Sequence, residues 1–298
     1  METTIYTLKL TAAQETKLFD AWKSSQVKAP QYAKWQLRPE NCVITCYTSG
    51  KTVFQGKDAS IYASPFTDIT KPSAPAKTNP ASTGKTKNRL PQAGSDEVGT
   101  GDYFGPVCVC ATIITSDTLP LLEELGVRDS KQLNDTDIRA IAPKIMKKIP
   151  YSLLILDNEK YNAVHDTNNM NAVKSKLHNQ AYVNLAKKYE VPSFKIIDQF
   201  TPENSYYRYL KGEPTIVNGI HFETKAEDKY PAVGAASVIA RYAFLMKMDE
   251  MEKQWDMKFQ KGAGDKVDTC AADFVKRYGF DALPKVAKMH FKNTEKLK

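Results

Sequence analysis

Residues 69–92, ITKPSAPAKTNPASTGKTKNRLPQ, limit what this chain can fold into. They are rich in Pro, Ser, Thr and Lys and carry no apolar periodicity, so no single hydrophobic core runs through them. The 298 residues therefore divide into a small front part and a large back part. The expected organisation is a domain over 1–67, a basic linker over 68–92 and a second domain over 93–298. Charge follows the same division. The chain carries a net +8, with 8 basic against 5 acidic residues in 1–67, 5 against 1 in 68–92 and 29 against 28 thereafter. A basic front third suggests a polyanionic partner, although an unspecific solubility bias produces the same count. Gly84-Lys85-Thr86 looks like the end of a phosphate-binding loop. Position 79 is Asn where that motif needs Gly, and no strand leads into it, so a nucleotide site is excluded.

No apolar run approaches the ~20 residues of a spanning helix. The first ten residues hold Glu2 and Lys9 and no apolar signal core, which predicts a cytoplasmic protein with no membrane partner. Five scattered cysteines fit free thiols better than a disulfide framework.

The front part reads as a small α+β unit. Residues 4–10 alternate as a half-buried strand, and 11–24 form a helix capped by Thr11, with Glu15 in the following turn and Leu18, Phe19 and Trp22 on one face. Residues 34–38, 42–47 and 52–55 read as strands. Lys34, Arg38, Lys51 and Lys57 lie near Trp35, Tyr47 and Phe54. They form either a nucleic-acid surface or a solvated face over an aromatic core.

In the back part strands and helices alternate, which predicts an α/β domain around a central sheet. Strands are expected at 106–115, 151–156 (buried) and 194–197. Helices are expected at 118–125, 135–148, 170–189 and 231–248, the last apolar nearly all round. Cys108 and Cys110 share one face of an apolar strand and read as core.

The chemistry concentrates in Gly94–Pro106, GSDEVGTGDYFGP. Asp96 and Glu97 end a strand and are followed by Gly99, Gly101 and Gly105. Adjacent carboxylates are costly in a central strand unless a cation offsets them, and the glycines permit close approach of a ligand to the backbone. Taken alone, the stretch is also compatible with a polar hairpin end. Asp198 ends an apolar strand, at the sheet edge where α/β folds keep ligands, although Asp equally serves as a cap or turn residue. Glu227 and Asp228 precede the buried helix and either complete a carboxylate set or favour the helix N-terminus. Carboxylates from separate segments, with no zinc spacing among four histidines, suit a hard ion such as Mg²⁺ or Mn²⁺. No Gly-x-Ser-x-Gly elbow supports a hydrolase triad.

As a set, these segments resemble the type 2 ribonucleases H, and within them the ribonuclease HIII branch. The resemblance rests on GSDEVGTGDYFGP and on Gly126-Val127-Arg128-Asp129-Ser130-Lys131-Gln132-Leu133. Leu177-His178-Asn179-Gln180-Ala181, Ile197-Asp198, Lys225-Ala226-Glu227 and Ala235-Ala236-Ser237-Val238-Ile239-Ala240-Arg241 follow in the family's order. It covers about residues 90–298 and extends to the front. There Ser49-Gly50-Lys51-Thr52-Val53-Phe54-Gln55-Gly56 resembles part of that branch's substrate-binding domain, which is related to a TATA-binding-protein half.

The resemblance implies a ribonuclease H-like mixed central sheet flanked by helices. It implies a monomeric endonuclease that cuts the RNA strand of RNA–DNA hybrids with two divalent ions, leaving 5′-phosphate and 3′-hydroxyl ends. Asp96, Glu97 and Asp198 match the metal carboxylates, and Glu227 a fourth acidic position, with Asp228 adjacent. Gly99, Thr100 and Gly101 are expected at the ribose 2′-hydroxyls, and Ser130 and Lys131 at phosphates, although Lys131 is equally readable as a solvated lysine. Two alternatives remain: a non-catalytic hybrid-binding protein on the same fold, and specificity for single embedded ribonucleotides as in ribonuclease HII. The sister branch has Gly-Arg-Gly where this chain has Gly99-Thr100-Gly101.

Overall fold

The computed structural model describes residues 4–30, 32–66, 89–127 and 133–297. They group into two compact units, within residues 1–83 and within residues 84–298. The helix and strand content is mixed α/β in the second unit, with a small strand-rich unit in front.

The front unit builds strand β1 (Thr4–Lys9), helix α1 (Ala12–Trp22), a two-residue strand β2 (Gln26–Val27), then β3 (Ala33–Leu37), β4 (Cys42–Tyr47), β5 (Lys51–Gly56) and a short helix α2 (Ala59–Ala63). The sheet order is β1-β5-β4-β3-β2, antiparallel throughout. Thr11 caps α1 as expected. Its partner in the capping box is Gln14 rather than Glu15: the Thr11 hydroxyl accepts from Gln14 N–H at 3.3 Å, and Gln14 Oε1 accepts from Thr11 N–H at 2.9 Å. Glu15 instead pairs with Lys34 at 2.8 Å. Leu18, Leu37, Ile44 and Phe54 form the core between sheet and helices.

The back unit begins with β6 (Gln92–Val98) and β7 (Val107–Ile114). Helices α3 (Leu119–Glu124) and α4 (Asp135–Met146), strand β8 (Tyr151–Leu156), and helices α5 (Asn158–His165) and α6 (Met170–Ala186) follow. Then come β9 (Lys195–Asp198), α7 (Glu203–Tyr209), β10 (Ile220–Glu223), the long α8 (Pro231–Gln254), α9 (Asp265–Tyr278) and α10 (Lys292–Glu295). The sheet order is β10-β9-β6-β7-β8. β10, β9 and β6 are parallel; β6, β7 and β8 are antiparallel.

Gln92 does not belong to a linker. It is fully buried, opens β6, and its side-chain oxygen accepts from Ala232 N–H at 3.2 Å, one of the unpaired donors at the start of α8. β8 is not a buried strand either. It stands at the sheet edge, with residues mostly half-buried and Ile155 exposed.

Alternation along β6 and β7 sorts the core into two layers. Cys108, Cys110 and Ile114 face α8 and α4, with α9 behind them. Ala93, Val107, Val109, Ala111 and Ile113 face the side of α5, α6 and α7. All five cysteines are free and buried. Close contact between α8 and the sheet needs Gly94, since a Cβ there would stand 2.4 Å from Val233 N and 2.6 Å from the Ala232 carbonyl carbon. The Thr112 hydroxyl donates to Ala232 O at 2.7 Å across the same seam.

Candidate active site

The parallel register brings the carboxylates together. Ser95 pairs with Ile197, so the next residues of β6 and β9, Asp96 and Asp198, stand side by side near the C-terminal ends of the two strands, Asp96 still paired with Cys110 of β7. Asp198 pairs in turn with Glu223 of β10. The strands end here because the sequence turns polar and glycine-rich after Val98 and after Asp198 reaches the loop.

Asp96 and Glu97 point to opposite faces, as neighbours on a strand must. Asp96 turns toward α8, where Ser237 hydrogen-bonds to it. Burial pushes its pKa well above the usual carboxylate range, and the charges of Glu97 and Asp198 push it further. Glu97 turns toward α6. Burial pushes it up as well, but His178 and Lys174 outweigh this and hold it below its ordinary value. His178 Nε2 donates to Glu97 at 2.8 Å and Lys174 forms an ion pair with the other oxygen. Since the carboxylate only accepts, Nε2 carries a proton. In the neutral ring Nδ1 then accepts from the Ser95 hydroxyl at 2.7 Å. The Lys174 ammonium also sits 4.0 Å over the Phe200 ring, and His178 stacks on that ring.

Asp198 accepts from the Ala226 N–H at 2.8 Å. Burial raises its pKa, the Ala226 bond offsets part of this, and Glu227 and Glu97 add to the rise. Glu227 stands close enough to hydrogen-bond Asp198 and lies in the 3₁₀ turn Ala226–Asp228 ahead of α8. Glu223 is engaged by Lys229 and His221.

The structure thus brings Asp96, Glu97, Asp198 and Glu227 into one electrostatic neighbourhood. Among the described residues no three His, Cys, Asp or Glu side chains converge tightly enough to chelate an ion as they are arranged. Glu97 is turned to Lys174 and His178. The donor set is nonetheless all oxygen, and burial together with mutual repulsion, which raise Asp96 and Asp198, are both offset by a hard cation. Lys174, His178, Ser95 and Ser237 were not singled out from the sequence as site residues. The signal was there in part: Lys174 and His178 are four apart, hence on one face of a helix whose other residues pack against the sheet.

The glycines divide by role. Gly99 has φ of 96°, and a Cβ on it would meet Pro106 O at 2.1 Å; Gly105 has φ of 83° and faces Met248 and Phe244. Both serve the turn and the packing of α8. Gly101 is exposed with nothing within 4 Å of a Cβ, and Thr100 is half-buried beside it. Ser130 and Lys131 lie outside the described residues. In the front unit, the aromatic–basic surface loses two members. Phe54 is core, and Lys34 is engaged by Glu15, whereas Arg38, Lys51 and Lys57 are exposed.

A family model described as Ribonuclease HII matches residues 93–294, and one described as a domain of unknown function (DUF3378) matches residues 6–79. A ribonuclease HIII of Bacillus licheniformis is 44% identical over 284 residues, covering 90% of this chain and 89% of that protein. The chain belongs to the ribonuclease HIII family. A ribonuclease HIII of Bacillus subtilis is 42% identical over 285 residues, covering 92% and 90%. The crystal structure of Bst-RNase HIII in complex with Mn²⁺ superposes with a TM-score of 0.71 at 36% identity, covering 99% of this chain and 98% of that one. The ribonuclease H2 of Pyrococcus horikoshii OT3 shares the fold, with a TM-score of 0.60 at 22% identity over 70% of this chain and 97% of that one. Membership makes the chain a divalent-metal-dependent endoribonuclease of the ribonuclease H class, a hydrolase of the RNA strand.

Proposed function

We propose that this chain cuts the RNA strand of RNA–DNA hybrids at the C-terminal edge of β6 and β9, using Mg²⁺ or Mn²⁺ held by Asp96, Glu97 and Asp198. The observation that supports this best is the register that sets Asp96 beside Asp198, with Glu97 and Glu227 within electrostatic reach. When bound, such ions would supply activation of the attacking water and stabilisation of the departing 3′ oxygen. Asp96, held in place by Ser237, is central to the set that would hold the metal. Glu97 and Asp198 complete it from either side, and Glu227 is the fourth acidic residue beside Asp198. His178 and Lys174 keep the Glu97 carboxylate ionised, and so able to ligate, in a buried position. The products are 5′-phosphate and 3′-hydroxyl ends.

The exposed tip Thr100-Gly101, with Gly99 behind it, offers backbone groups to the ribose 2′-hydroxyl, the group that separates RNA from DNA. Ser130 and Lys131 contact phosphates, and the basic front unit, within 1–67, adds grip on the hybrid. A basic segment over 68–91 joins it to the catalytic domain, which opens at the buried Gln92. The enzyme works as a monomer in the cytoplasm. No helix among the described residues is long and apolar enough to cross a membrane.

The test is incubation with Mg²⁺ or Mn²⁺ and two duplexes, a full RNA–DNA hybrid and DNA bearing one ribonucleotide. Cleavage within the ribonucleotide run of the hybrid is expected. Binding without cleavage would replace the enzyme with a hybrid-binding protein, and efficient cutting at the single ribonucleotide would assign ribonuclease HII-like specificity.

A further inference from the structure

The loop from Gly99 to Gly105 has a free tip and a fixed return leg. Asp102 accepts from Gly262 N–H at 2.6 Å, and Tyr103 N–H donates back to Gly262 O at 2.9 Å. Gly105 N–H donates to Val286 O at 3.0 Å, Lys288 N–H donates to Tyr103 O at 2.9 Å, and Phe104 bridges to Ala287. The segment after the 3₁₀ turn Phe280–Lys285 therefore lies along the leg like a short extra strand.

Lys288 is fully buried in this seam. Its ammonium donates to the Asp102 carbonyl at 2.8 Å and to the Gly105 carbonyl, which also accepts from Asn158 Nδ2 at 2.9 Å. Among the described residues no carboxylate stands within ion-pair distance of it. The ammonium also lies 5.8 Å from the centroid of the Tyr161 ring. A buried ammonium without a carboxylate partner is an expensive way to fill a core position, which a methionine fills at no electrostatic cost. The cost shows in its acidity: burial lowers its pKa to about 7, against smaller upward pulls from Asp102 and Cys108. What an apolar side chain does not supply is a donor for both ends of the leg at once.

We propose that Lys288 is a positioning residue for the ribose-reading loop: by tying the Asp102 and Gly105 carbonyls to one point it aims the Thr100-Gly101 tip, and the preference for hybrid over DNA duplex depends on it. This rests on the reading that the tip contacts ribose. Removing the ammonium leaves two carbonyls without their shared donor and lets the leg relax, while the metal carboxylates on the strands keep their places. The loss falls on recognition of RNA rather than on the fold.

The full chain is used, as wild type and as Lys288→Met, Lys288→Gln and Gly101→Val. Affinities for an RNA–DNA hybrid and for a DNA duplex of the same sequence are measured by fluorescence anisotropy in EDTA, so that no cleavage intervenes, together with each melting temperature. Lys288→Met is expected to melt as a folded protein, to bind the DNA duplex as wild type does, and to lose about tenfold in hybrid affinity, the scale of one lost hydrogen-bonding contact. Lys288→Gln, which keeps two N–H donors, should recover part of that preference. Gly101→Val, placed in open space, should lose the preference without losing stability. A folded Lys288→Met that keeps the preference while Gly101→Val loses it overturns the role of Lys288 alone. A Lys288→Met that does not fold assigns the lysine to the fold and overturns it equally. Preference retained in every variant refutes the loop as reader, and this inference with it.

Discussion

Substituting Gly94 by alanine joins the packing of this protein to its chemistry. The added Cβ would lie 2.4 Å from Val233 N and 2.6 Å from the Ala232 carbonyl carbon, both main-chain atoms of α8. Ordinary contact for such a pair is about 3.5 Å or more, so strand and helix must separate by roughly 1 Å. Overpacking of this kind costs ~1–3 kcal/mol, and because the clash is with backbone no rotamer relieves it. For a domain of this size each kcal/mol moves the melting temperature by about 2–4 °C, so a fall on the order of 2–12 °C is expected. The same displacement carries Ser237, one turn along α8 from Val233, away from Asp96. A misplacement near 1 Å at a reacting centre costs roughly a hundredfold in rate. Differential scanning fluorimetry and hybrid-cleavage rates on one preparation read both effects. Gly101→Ala, with nothing within 4 Å of its Cβ, is the stability control. A Gly94→Ala protein that melts and cleaves as wild type does would refute the claim that this glycine sets the helix–strand distance at the site.

His178→Ala strips a partner from Ser95 and from Glu97, both in the interior, and should cost about 1–3 kcal/mol, seen as a lower urea midpoint. An unchanged midpoint would show that water replaces the ring. Lys288 has a folded pKa of about 7 against an ordinary 10.5, so between these values the unfolded chain binds more protons than the folded one. Stability from this group therefore rises with pH across that window, by at most about 5 kcal/mol. Urea unfolding at pH 6.5 and 9.5 should show the wild type gaining on Lys288→Met as pH rises, and a pH-independent difference contradicts the burial argument. Deleting residues 1–67 should weaken hybrid binding while leaving metal-dependent cleavage at saturating substrate. Unchanged affinity would remove the front unit from substrate binding.

Much of the site was legible because strand chemistry is local. An apolar, β-branched 107–114 and a carboxylate pair near the end of a short strand announce their elements without tertiary help. The glycines of GSDEVGTGDYFGP were harder to read. Their sequence suggests ligand approach throughout, yet Gly94 and Gly105 answer to α8, a helix over a hundred residues away, and only Gly101 stands open. β10 (Ile220–Glu223) and α7 (Glu203–Tyr209) escaped notice because four and seven residues carry little periodicity, and their stability comes from packing on β9 and α6. β8 looked buried from its apolar run, since sequence does not reveal that a strand ends a sheet. Lys174 and His178 were read within a helix pattern, because the carboxylate that justifies two polar groups in that layer lies some eighty residues earlier.

The central claim is that Asp96, Glu97 and Asp198 act together on an RNA–DNA hybrid. Asp198→Asn keeps the shape and the acceptor for Ala226 N–H while removing the charge. Its cleavage rate with Mg²⁺ or Mn²⁺, measured beside its hybrid affinity, separates the metal-holding role of this carboxylate from substrate binding. Loss of cleavage with affinity close to wild type is expected. Surviving cleavage at the wild-type rate would show that the metal ions are held elsewhere.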